Sequence, residues 1–118
     1  MEYEITTVNA SQLIETIFDC VANGLDPQEN RIETWNIRRI GGNQRYLIHT
    51  TDQWEQKGCL ELQVKNNSDN RVVKIIFHYW RDFPNNERNG KEDKYYLGRF
   101  TELMLVHFEN MYQRIKVE

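Results

Sequence analysis

The sequence predicts an α+β protein in the order β-α-β-β-β-β-α. Two segments, one near each end of the chain, have the spacing of amphipathic helices, and the stretch between them alternates apolar and polar residues as strands do. Because short turns join those strands, we expect an antiparallel meander of four to five strands, with the N-terminal helix and a long C-terminal helix packed on one face. A length of 118 residues predicts a single domain, residues 1–118.

The first helix is predicted over residues 9–23. Its apolar residues recur at every third or fourth position and form one stripe: Leu13, Ile14, Ile17, Phe18 and Val21. Asn9 can cap its start, and Gly24 suits the left-handed conformation that ends a helix. Before it, residues 3–8 are rich in β-forming residues and predict a short edge strand.

Four strands are predicted in the middle of the chain, over residues 31–40, 44–51, 59–65 and 71–81. Gly41 and Gly42 supply the positive φ angles of a tight hairpin between the first two. Polar residues 66–70 favour a turn between the last two. In the strand 59–65, apolar and polar residues alternate strictly, so one face of the sheet should be solvated.

The rest of the chain is predicted to be a long loop and a helix. Residues 82–94 are nearly all polar, and we expect them to be the least ordered internal segment because they bury little. Residues 95–116 have helical apolar spacing.

A common core should join the two helices and the sheet. The residues expected to be buried together are Leu13, Ile17, Phe18, Val21, Leu60, Leu62, Val64, Val73, Ile75, Phe77, Phe100, Met104, Phe108 and Met111.

The strand 71–81 departs from simple alternation, because both of its faces are apolar. Val73, Ile75, Phe77 and Tyr79 suffice to face the helices, yet Val72, Ile76 and Trp80 lie on the opposite face, with His78 between the last two. The chain's own loops cover this second face, or another protein binds there. If the strand were at the sheet edge, its unpaired backbone would also favour pairing with another chain.

Several kinds of site lack the required residue pattern. His49, His78 and His107 lie on three predicted elements without metal-ligand spacing, and Cys20 and Cys59 are 39 positions apart, so both are expected to be reduced thiols. The chain has no nucleophile-elbow, phosphate-loop or zinc-protease motif. We therefore expect no catalytic residues, cofactor or metal.

Charge and hydropathy exclude further classes. The net charge of −3 opposes nucleic-acid binding, and no apolar run could span a membrane. The N-terminus lacks the basic and apolar blocks of a signal peptide, which favours a cytoplasmic location.

These observations favour a non-enzymatic protein-binding domain, such as an inhibitor, an immunity-type neutraliser, a small chaperone or an adaptor. The predicted partner-binding residues are Val72, Ile76, His78 and Trp80, and the partner is another protein or a second copy of the chain. The alternative is a small-molecule-binding or catalytic cup, with an apolar ligand lined by Phe100, Met104, Phe108 and Met111.

Overall fold

A computed structural model describes residues 2–117 and confirms the α+β class, with an antiparallel sheet, an N-terminal helix and a C-terminal helix. The sheet has six strands, against the predicted four to five. Met1 and Glu118, which the single-domain prediction includes, lie outside the described residues. The elements are β1 (Glu2–Thr6), α1 (Ala10–Asn23), β2 (Trp35–Ile40), β3 (Gln44–His49), β4 (Gly58–Val64), β5 (Val72–Tyr79), α2 (Glu92–His107) and β6 (Arg114–Val117).

The strand order across the sheet is β2-β3-β4-β5-β1-β6, and every neighbouring pair is antiparallel. Strands β2 to β5 therefore form the predicted meander, and the chain ends extend it by two strands. Because β5 lies between β4 and β1, its backbone is paired on both sides, and the edge-pairing argument does not apply to it.

Helix α1 has the predicted caps. The Asn9 side chain accepts a hydrogen bond from the amide of Gln12, and Gly24 ends the helix at φ +75°. The turn between β4 and β5 also holds the start of this helix, since the Asn70 side-chain oxygen accepts a hydrogen bond from the amide of Ser11 at 2.9 Å. This contact fixes the helix over the sheet.

The C-terminal helix differs from the predicted range 95–116. It begins at Glu92 and ends at His107, and a short 3-10 turn follows at Glu109–Met111 before β6. The last residues leave the helix because they pair with β1: the amide of Gln113 donates to the carbonyl of Thr6 at 2.7 Å. The pairing of β6 with β1 gives hydrogen-bond partners to the backbone groups on this edge of β1, which a continued helix would leave unpaired.

The loop before α2 is shorter and more regular than the prediction for residues 82–94. Asn85–Glu87 form a 3-10 turn, and the helix already begins at Glu92. Arg88 holds the loop, because its guanidinium donates to the carbonyls of Phe83 and Trp80 at 2.9 and 3.3 Å and lies 4.3 Å from the centre of the Tyr79 ring. The prediction rested on the few apolar residues and the small net charge of this segment, and it did not include the contacts of Arg88.

The core lies between the sheet and the two helices. Eleven of the fourteen predicted residues are buried, and Val64, Phe77 and Met111 pack against them at the margin. Further buried residues that the prediction did not include are Ile5, Ala10, Ile32, Leu47, Tyr96, Leu97 and Leu103. The register places Phe77 opposite Leu60, which is fully buried, so the helix-facing side of β5 was assigned correctly.

Candidate functional site

The predicted binding residues lie on the side of the sheet opposite the helices. Val72, Ile76, His78 and Trp80 alternate with the core residues of β5 and its continuation, and Val72, Ile76 and Trp80 are partly buried whereas His78 is exposed. We call these four residues, together with Arg38 of β2 and Tyr46 of β3, the Trp80 face.

Trp80 is held by its own chain. Its indole N–H donates to the carbonyl of Glu55 at 2.8 Å, the Arg38 guanidinium lies 4.5 Å from the ring centre, and the Tyr46 ring lies edge-on at 6.0 Å. The segment that carries Trp54 thus covers part of Trp80, as one interpretation of this strand predicted. The remaining exposed part of the ring has a fixed orientation.

His78 and Tyr46 continue the Trp80 face along the sheet. His78 Nε2 lies 2.7 Å from Glu61 Oε1, and the Tyr46 and His78 rings meet edge-on at 6.4 Å.

The thiol of Cys59 is fully buried, and burial raises its pKa to about 12. Cys59 is therefore a packing residue and not a nucleophile.

A polar cleft, which the sequence did not predict, opens on the other side of the molecule. It has a volume of about 360 Å³ and lies between α2 and the junction of the loop 24–34 with β2 and β3. We call it the His107 cleft. It is lined by Glu33, Thr34, Trp35, His49, Thr51, Tyr95, Arg99, Glu102, Leu103, Val106 and His107.

Asp26 orients one histidine of this cleft. Its carboxylate is buried, lies 2.7 Å from His107 Nδ1, and accepts hydrogen bonds from the amides of Gln28 and Asn30 at 2.8 Å each. Burial raises the pKa of the Asp26 carboxyl, but the bonds from His107 and the two amides outweigh burial and hold this pKa below its usual value. An ionised Asp26 requires His107 to donate from Nδ1, which directs Nε2 away from Asp26.

The second histidine of the cleft is kept neutral. Burial and the positive charge of Arg99 lower the pKa of His49, against a smaller opposite effect of Glu102. Its Nδ1 lies 2.7 Å from the Thr51 hydroxyl, and its ring meets Trp35 edge-on at 5.0 Å. The cleft thus combines a neutral imidazole with one that a carboxylate orients.

A backbone outlier also lines the cleft. Thr34 has φ +69°, which is unfavourable for a β-branched side chain. The carbonyl of Thr34 accepts the amide of Thr50 at 2.8 Å, which fixes the conformation. Strain of this kind is often found at binding sites.

Sequence reasoning found one of these two regions. Val72, Ile76, His78 and Trp80 lie at even-numbered positions of one short segment, residues 72–80, so alternation alone predicted that they share a face. Asp26 and His107 are 81 positions apart, and no local pattern joins them. The available signal was the Asp26-Pro27 turn, in which an aspartate bonds its own following backbone.

We expect the chain to lose stability in acid, because a second buried carboxylate resembles Asp26. Glu92 accepts the Tyr79 hydroxyl at 2.7 Å and the amides of Asn89 and Gly90 at 3.2 Å each; burial raises its pKa, but these bonds outweigh burial and lower it. Carboxyls with lowered folded-state pKa values stabilise the fold above their usual pKa near 4, and this stabilisation is lost as the pH falls through the folded-state values.

Urea unfolding at pH 7, 5 and 3.5 measures this effect, and Asp26→Asn should show a weaker dependence on pH than the wild type. Glu29→Gln, an exposed change in the same loop, is the matched control and should follow the wild type. An Asp26→Asn variant with the wild-type pH profile would contradict the assignment.

Two further searches concern the described residues alone. Within residues 2–117, no three histidine, cysteine, aspartate or glutamate side chains are grouped so that they could hold a metal ion. Neither helix described here has the length and apolar content needed to cross a lipid bilayer.

Comparison with known proteins adds no relative. No protein-family model matches the chain, and no curated protein and no solved structure matches it significantly. Function must therefore be inferred from the geometry of the two regions.

Proposed function

We propose that this chain is a non-enzymatic cytoplasmic protein-binding domain and that its partner binds the Trp80 face. The observation that carries the proposal is the exposed part of Trp80, which Arg38 and Tyr46 hold in place on the side of the sheet opposite the helices. Tryptophan, tyrosine and arginine are the residue types that most often dominate binding energy at protein interfaces.

The Trp80 face also has the arrangement of an interface. Its centre is apolar and aromatic, with Arg38 over the Trp80 ring, and charged residues such as Glu61 and Lys74 lie beside it. Rings that are already fixed lose little side-chain entropy when a partner binds. An inhibitor, an immunity-type neutraliser, a small chaperone or an adaptor would each use a surface of this kind.

The test compares partners captured from cells of the source organism by three tagged proteins: the wild type, Trp80→Ala, and Leu105→Asp on the exposed side of α2. Leu105 is 54% exposed and lies in the helix layer, so it serves as the matched control. A protein that the wild type and the control retain and that Trp80→Ala loses would support the proposal. Capture of the same proteins by all three would contradict it.

Sedimentation of the wild type and Trp80→Ala separates self-association from binding to another protein. A dimer that only the wild type forms would identify a second copy as the occupant of the Trp80 face. A monomer in both samples, with selective capture of another protein, would support the binding of a different partner.

The His107 cleft favours a second candidate function, the binding of a small polar ligand. The supporting observation is the convergence of an Asp26-oriented His107 and a neutral His49 on one cleft of about 360 Å³, within the size range of ligand sites. The apolar cup is a different site: Phe100, Met104 and Phe108 are buried core residues and do not line this cleft.

An NMR screen of small carboxylates, amines and heterocycles tests this candidate. Ligands of the cleft should shift the amides of Thr34, His49 and Arg99, and His107→Gln should weaken their binding. Shifts confined to other surfaces, or equal binding by His107→Gln, would contradict it.

A further inference from the structure

We infer that the partner of the Trp80 face presents an acidic protein surface. This inference rests on the proposed function and names the chemistry of the partner. It follows from the segregation of charge between the two sides of the sheet, which the net charge of −3 conceals.

Among the charged strand residues that face away from the helices, basic residues outnumber acidic ones. The register places Lys74 on this side opposite Glu4, and Glu4 in turn opposite Lys116. Counted by register over the same side of the described strands, with Lys65 just after β4, five basic residues stand against three acidic ones. The basic residues are Arg38, Lys65, Lys74, Arg114 and Lys116, and the acidic ones are Glu2, Glu4 and Glu61.

The helix layer has the opposite balance. Helix α1 contains Glu15 and Asp19 and no basic residue, and α2 contains three acidic residues against Lys94 and Arg99. The loop 24–34 adds Asp26, Glu29 and Glu33 against Arg31. Arg39 and Arg45 of the sheet face this layer, and Arg45 pairs with Glu15 at 2.8 Å, so the acidic excess is smaller but remains. The electrostatic field of the protein therefore attracts an acidic partner to the side of the sheet opposite the helices and repels it from the helix layer.

This charge pattern disfavours a second copy of the chain as the occupant. A two-fold contact between two Trp80 faces would bring two surfaces with an excess of positive charge together, and like charges at an interface are costly. A contact between the basic face of one copy and the helix layer of the next uses different patches on each copy. Such a head-to-tail arrangement builds an open filament, unless the rotation between successive copies closes a ring.

The geometry also favours a protein over a nucleic acid. Arg38 lies over the Trp80 ring at 4.5 Å, and so occupies the position in which a base would stack. Glu61 and Glu4 lie among the basic residues, so this side of the described strands is not the uniformly basic surface with which proteins neutralise a phosphate backbone. The Arg38 guanidinium suits a carboxylate, because its planar fork can donate two parallel hydrogen bonds.

Binding of poly-L-glutamate to the 118-residue chain, measured at about 50 and 200 mM salt with a fluorescent label, tests the inference. NMR should locate the contact at the amides of Lys74, Ile76 and Trp80. We expect the double variant Arg38→Glu, Lys74→Glu to bind roughly tenfold more weakly, as expected for an interaction steered by charge. Lys116→Glu, at an exposed position, is a second variant that should weaken binding without disturbing the Trp80 ring.

The matched control for Lys116→Glu is Lys94→Glu, which makes the same single charge reversal in the helix layer and should bind as the wild type does. Tighter binding of a thymidine oligonucleotide than of poly-L-glutamate would overturn the inference in favour of nucleic acid. NMR shifts in the helix layer, or equal binding by the double variant, would also overturn it. A cellular partner that requires Trp80 but tolerates both charge reversals would refute the acidic partner and leave the proposed function standing.

Discussion

Truncation of Phe100 to alanine should lower the free energy of unfolding by about 3–5 kcal/mol. Phe100 lies on α2 with 1% of its surface exposed, and its ring meets Trp35 of β2 edge-on at 6.4 Å. The change removes apolar burial and leaves a cavity where the helix contacts the sheet. A loss of this size is a large part of the total stability of an ordinary domain.

Chemical unfolding of Phe100→Ala and Leu105→Ala measures this effect on one helix. Leu105 is 54% exposed, so its truncation removes little burial. Alanine favours a helix at least as strongly as leucine does, so the helix itself is not weakened. We expect a change below about 0.5 kcal/mol for this control. Equal losses in the two variants would show that α2 does not pack on the sheet through Phe100.

The fold was predictable wherever a local pattern determined the structure. In α1, apolar spacing, an Asn9 cap and a Gly24 end agree with one another, and the helix lies within one residue of its predicted range. Alternation in β4 and β5 assigned both faces of the sheet correctly. Such agreement between propensity, pattern and packing is typical of a well-specified element.

The end of α2 shows where local patterns fail. Met111 and Ile115 continue the helical spacing, but Ile115 instead lies opposite Ile5 in the pairing of β6 with β1. An edge of β1 that needs a partner is a property of the assembled sheet, so no window of sequence contains it. For the same reason, the sequence did not predict the additional strand β6 at the end of the described chain.

The two candidate regions also differ in how far a local sequence pattern could predict them. The four predicted residues of the Trp80 face lie on one segment of the chain, residues 72–80. Arg38 and Tyr46 were not predicted, because only the strand order of the folded sheet brings them to Trp80. The His107 cleft depends on contacts among the loop 24–34, β3 and α2. Its histidines had no spacing to connect them, and only folding brings Asp26 to His107.

A second large effect is expected from the Tyr96 hydroxyl, which is buried at the junction of α2 with the sheet. Its single proton is shared between the carbonyls of Trp54 and Gly58, at 2.9 and 2.8 Å, and its oxygen accepts a hydrogen bond from the amide of His49 at 3.2 Å. Burial raises the pKa of this hydroxyl above its usual value, so it remains a donor across the working pH range. One side chain therefore joins α2 to the start of β4 and the end of β3.

Replacement of Tyr96 by phenylalanine should lower the free energy of unfolding by about 2–4 kcal/mol, because it keeps the ring and leaves buried backbone groups unpaired. The carbonyl of Trp54 retains a bond from the amide of Lys57, so the loss falls mainly on Gly58 and His49.

Tyr95→Phe is the control for this change. The Tyr95 ring is partly exposed and stacks on Trp54 at 3.8 Å, a contact that phenylalanine preserves. We expect the control to change the stability by less than about 0.5 kcal/mol. Hydrogen exchange gives a second readout: in Tyr96→Phe the His49 amide should exchange faster relative to global unfolding, because its acceptor is gone. Equal stabilities of the two variants, with unchanged exchange at His49, would show that the Tyr96 hydroxyl does not join α2 to the sheet.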